Sequence, residues 1–167
     1  MGNEYSTKQR YLFCDCAESD TGKTTFLLNV IGCLINTFGF TIHSETDLRD
    51  INKPITYAGN GNDRWVVLDK SGKKIIVQTE GDYKVSFDNT YDYTSKCGNV
   101  DIIICASRPD TKIKERASAL SDRYKVHFFQ HIISVDRNTF VKQQDFVDYF
   151  CNIIDSLINQ CKESTKK

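Results

Sequence analysis

Apolar residues cluster in short runs separated by polar turns, and the runs alternate between two periods. Tyr11 to Cys16 reads as a short buried strand opening on a polar loop. From Phe26 to Phe38 apolar residues fall on almost every helical face, which predicts a helix buried between layers. Gly39 to Arg64 is polar and weakly periodic, with Pro54 and Gly59-Asn60-Gly61-Asn62, and reads as a long loop with room for one short strand. Trp65–Leu68 and Lys74–Gln78 follow as two strands. Their link, Asp69-Lys70-Ser71-Gly72-Lys73, is too short for a parallel crossover and dictates an antiparallel hairpin. A helix is predicted near 88–96. Asp101 to Ala106 has the apolar density of a strand covered on both faces. A charged helix over Asp110–Arg123, a strand over Lys125–Phe129 and a long amphipathic helix complete the chain. Phe140, Val147, Phe150, Ile154, Leu157, Ile158 and Cys161 mark one face of that last helix. Strand and helix alternate, which predicts an α/β fold: a three-layer sandwich with a mainly parallel sheet and one antiparallel hairpin strand.

Composition adds limits. The 167 residues suit one domain, with a core over about 10–161 and a polar tail over 162–167. Hydrophobic residues make up 40% and charged residues 26%, enough of each for a packed, water-facing domain. Twenty-two basic residues balance 22 acidic ones, so net charge does not indicate nucleic acid as a partner. No apolar run reaches the roughly 20 residues that span a bilayer, and the amino terminus lacks a secretory pattern, so a cytoplasmic protein without membrane contact is expected. The seven cysteines stand mostly in apolar runs without paired ligand spacing, which predicts reduced thiols and no zinc.

The chemistry concentrates between the first strand and first helix. Ala17-Glu18-Ser19-Asp20-Thr21-Gly22-Lys23-Thr24-Thr25 resembles the Walker A loop of the P-loop NTPase superfamily, with Ala17 at its first glycine. Such a loop turns backbone N–H groups onto phosphate oxygens at a helix amino terminus. Gly22 permits close approach, Lys23 brings a mobile charge to the β and γ phosphates, and Thr24 offers magnesium a hydroxyl. The alternative is a glycine turn before a helix, capped by threonine. The flanking apolar strand and helix favour the phosphate loop.

Within that superfamily, Ile75-Ile76-Val77-Gln78-Thr79-Glu80-Gly81-Asp82 is similar to the D-T-x-G strand end of Ras-like GTPases. The resemblance places Gln78 at the family's aspartate and Gly81 at its γ-phosphate-sensing glycine. Magnesium would then be reached through water by Gln78 or Asp82, with Glu80 and Asp82 as the catalytic acids beside Lys23. Trp65-Val66-Val67-Leu68-Asp69 also has the Walker B pattern. In an antiparallel hairpin only one strand can end beside the loop, and the resemblance gives that place to Gln78 and sends Asp69 to the far edge.

The guanine-reading N-K-x-D is replaced by Ser107-Arg108-Pro109-Asp110, which makes ATP the better expectation than GTP. Arg108, just beyond a parallel strand's carboxyl end, is a candidate phosphate contact, whereas Lys112, Lys114 and Arg116 read as a solvated helix face. The resemblance implies a magnesium-dependent nucleoside triphosphatase acting as a switch or coupled to a motor, with a protein partner to match. Two other classes stay open: a small kinase moving the γ-phosphate to a nucleoside, nucleotide or nucleic-acid end, and a non-catalytic nucleotide-binding regulatory subunit.

Overall fold

The computed structural model describes residues 9–17, 22–47, 50–54, 64–79, 100–109, 111–131 and 139–163. The helix expected near 88–96 and the acids Glu80 and Asp82 lie outside these residues. The described residues include seven strands: β1 (Tyr11–Cys16), β2 (Thr41–Asp47), β3 (Asp50–Pro54), β4 (Arg64–Lys70), β5 (Lys73–Gln78), β6 (Val100–Ser107) and β7 (Lys125–Phe129). The helices are α1 (Lys23–Asn36), α2 (Thr111–Ser118) and α3 (Thr139–Glu163).

The strands form one mixed sheet in the order β3-β2-β4-β5-β6-β1-β7. β5, β6, β1 and β7 are parallel neighbours. β4 runs against β5, β2 against β4, and β3 against β2. The α/β class and the parallel block match the sequence reading, but the antiparallel part is larger than one hairpin strand. The polar stretch after Gly39 supplies two strands, β2 and β3, where a long loop with one short strand was expected. Its residues Thr41-Ile42-His43-Ser44 show why: Ile42 is 42% exposed, so no buried face imposes an apolar alternation there.

Alternation along each strand sorts side chains onto two faces. On one face Ile75, Val77, Ile102, Ile104 and Ala106 pack with Phe26, Leu27, Val30, Ile31 and Leu34 of α1 and with Val147, Phe150, Cys151, Ile154 and Ile158 of α3. On the other face Leu12, Cys14, Cys16, Val67, Ile76, Ile103 and Cys105 meet Ala117, Leu120 and Tyr124 at α2 and beyond it. Helices therefore cover both faces, giving the three layers. Every residue of β6 is buried, as its apolar run predicts. α1 keeps Thr25, Asn29 and Asn36 in water, so it is one-sided rather than enclosed.

Candidate functional site

The carboxyl ends of β1, β5, β6 and β7 share one edge of the sheet, where ligands of open α/β sheets bind. β1 ends at Cys16, and α1 starts at Lys23. Gly22 stands at the N-cap with φ 93 and ψ 20, a left-handed conformation that strains any residue with a Cβ. Gly22 offers no capping side chain, and no acid occupies the first turn of α1. The helix begins directly with Phe26 N–H donating to the Gly22 carbonyl at 2.9 Å.

Lys23 is therefore the first helical residue, and it is buried, at 7% exposure. Its Nζ donates to the Ala17 carbonyl at 2.7 Å, so the side chain folds back toward the end of β1. A cation here opposes the positive end of the helix dipole. Burying an ammonium also costs solvation. Both costs fall once an anion lies between Lys23 and the helix terminus. Thr24 is half-buried and Thr25 exposed in the same turn. Glu18, Ser19, Asp20 and Thr21 lie outside the described residues.

Both neighbours of β1 contribute to this edge. The Ala17 N–H donates to the Ser107 carbonyl at 3.1 Å, and Cys16 Sγ reaches the Arg108 carbonyl at 3.8 Å. These contacts bind the exit of β6 to the start of the loop and bring Arg108, whose side chain is exposed, to the expected place. Ser107 Oγ donates to the same Arg108 carbonyl at 2.5 Å.

β5 is placed differently from the GTPase-like expectation. Its carboxyl end reaches the same edge, but β6 lies between it and β1. Gln78 is level with Cys105, and Cys105 with Cys14, so Gln78 sits two strand spacings, roughly 9–10 Å, from β1. It also shares the face of Ile76, opposite α1. Gln78 is 1% exposed and Thr79 follows it, equally buried. The position beside β1 that the resemblance gave to Gln78 belongs to the end of β6. Asp69 is where the resemblance put it: level with Lys74 at the opposite edge, its Oδ1 accepting from Gly72 N–H at 3.2 Å.

Two site residues escaped the sequence reading. Asp15 of β1 is fully buried, on the α1 face beside Ala106. Its Oδ1 accepts the His131 backbone N–H at 3.3 Å, and its Oδ2 contacts His131 Nδ1. His131 is 4% exposed, and its ring stacks on Phe26 of α1 at a centroid distance of 5.3 Å and 7° between planes. An acid inside an apolar strand is a local signal that a partner is required. The partner stands 116 positions away, beyond any local pattern.

Among the described residues no three His, Cys, Asp or Glu side chains converge as a metal site. Magnesium would instead take the Thr24 hydroxyl, a hard oxygen donor, together with phosphate oxygens and water. Cys14, Cys16, Cys33, Cys105 and Cys151 are buried free thiols. No described helix is long and apolar enough to cross a membrane. No protein-family model matches the chain, and neither a curated protein nor a solved structure matches it significantly.

Proposed function

We propose that the chain binds a nucleoside triphosphate with magnesium through residues 17–25 and hydrolyses it, ATP being preferred. The observation that carries this reading is the buried Lys23 ammonium, closed onto the Ala17 carbonyl at a helix start whose N-cap is Gly22. A cation at the start of a helix, beside the terminal N–H groups, is placed to receive a polyanion. The P-loop amides, Lys23 and magnesium would hold the β and γ phosphates, with Arg108 approaching from the end of β6. Magnesium's role is to neutralise charge developing on the phosphates while Thr24 helps seat it. Glu80 and Asp82, which follow β5 in sequence, are the proposed source of a carboxylate that orients water.

The position of Gln78 supports a second reading. An uncharged residue facing away from α1 adds nothing to the metal's charge balance, which favours a nucleotide-binding regulatory subunit with little turnover. Incubation with ATP labelled at the γ-phosphate separates the readings: released phosphate indicates hydrolysis, a labelled acceptor a kinase, and tight binding without either a switch. Lys23→Ala removes a charge-assisted contact of about 1.5–3 kcal/mol, so magnesium–ATP affinity should fall by about one to two decades. Thr24→Ala should weaken binding mainly when magnesium is present. Calorimetry in which both variants bind like the parent refutes the phosphate-loop assignment.

A further inference from the structure

We infer that Asp15 and His131 form a positioning couple that sets the span of the phosphate loop; this rests on the reading of residues 17–25 as such a loop. Asp15 lies two residues before Ala17, where the loop leaves β1, and Phe26 three residues after Lys23, where it has entered α1. His131 holds both. Its backbone N–H and ring nitrogen engage the two Asp15 oxygens, and its ring lies flat on Phe26. The far side of this clamp is packed as well: Phe26 also stacks on Phe146 at 5.3 Å and meets Phe129 at 6.1 Å. A shift of α1 along β1 would open the loop, and it would have to break the bonds to Asp15 or the stack on Phe26.

The chemistry of the couple also screens charge. With Asp15 as carboxylate it can only accept, so His131 Nδ1 carries a proton toward it. A buried carboxylate two residues from a phosphate loop repels a polyanion, and hydrogen bonds donated to both of its oxygens partly screen that charge. His131 acts on the loop through Asp15 and Phe26, so it is a positioning residue.

The test uses the full chain, magnesium–ATP and calorimetry. His131→Ala should lose about tenfold in affinity. His131→Asn, whose amide donor stands near the place of Nδ1, should recover to within about threefold of the parent. Because the couple acts through the loop, His131→Ala should cost less than about twofold when Lys23 is already alanine. A purely structural role predicts the same loss in both backgrounds. Equal losses, failure of the asparagine variant to recover, or parental affinity in His131→Ala overturns the proposal. If His131→Ala does not fold, Asp15→Asn reads the same couple: a loss of about threefold or more is expected, and parental affinity overturns it. A parent chain that binds no magnesium–ATP refutes the phosphate loop itself. Binding that depends on Lys23 but is indifferent to His131 and Asp15 refutes the couple alone.

Discussion

Two thiols show how far local surroundings reset a side chain. Cys14 is level with Cys105 on adjacent parallel strands, and hydrogen bonding with that thiol, followed by burial, pushes its pKa far up. Cys151 of α3 is raised by burial first and by Cys33 of α1 next. In the unfolded chain both thiols ionise near the ordinary value of 9.0. Above that pH the native state holds more protons than the unfolded one, so stability is complete below it and falls as pH rises. Each thiol contributes up to about 1.4 kcal/mol per pH unit to the decline. Urea unfolding in reductant at pH 7.5 and 10 should show a clear loss, and Cys14→Ala or Cys151→Ala should each flatten it. Lys23 and Gly22 were legible from sequence because their motif is contiguous. Asp15 and His131 were not, because a side-chain pair across the sheet leaves no spacing to read.

Among elements, the β4–β5 hairpin was the most legible. Its turn is Ser71-Gly72, with φ 54 and φ 81, the paired positive torsions of a two-residue turn that follows the strand twist. A Cβ at Gly72 would meet nothing within 4 Å, so the cost of Gly72→Ala is in the backbone alone. Chemical denaturation should register about 1–2 kcal/mol, with Gly72→Asn milder. The proposed nucleotide affinity should not change, because this turn lies at the edge opposite the candidate site. Asp69→Asn tests the same separation and should also bind like the parent. The hairpin is further anchored by Lys70, which pairs with Asp155 of α3 at 2.5 Å and lies over the Phe40 ring at 5.2 Å. The boundaries of β1 and β7 could be read from their apolar runs. β2 and β3 could not, since strands near a sheet's edge need little apolar surface.

At the scale of the whole molecule, strand order decides which residues meet. Parallel strands pair through long crossovers, so neither periodicity nor motif told that β6, rather than β5, would lie against β1. One consequence is measurable by hydrogen exchange. β6 is buried throughout and is paired on both sides, by β5 and β1. Its amides over Ile102–Cys105 should exchange slowest, opening only with global unfolding, whereas those of β3 at the end of the sheet should exchange by local opening.

The place of β1 within the sheet also governs the order of events during synthesis. Tyr11 finds its partners only in Ile102 and Lys125. The strand that leads into the candidate site thus leaves the ribosome early and waits for most of the chain before it can pair. Closing such distant contacts makes folding slow, and the waiting segment, Tyr11-Leu12-Phe13-Cys14, is apolar enough to associate wrongly in the meantime. A nascent chain halted before β7 would carry every residue from 17 to 25 and still lack both His131 and the strand that completes the site's edge.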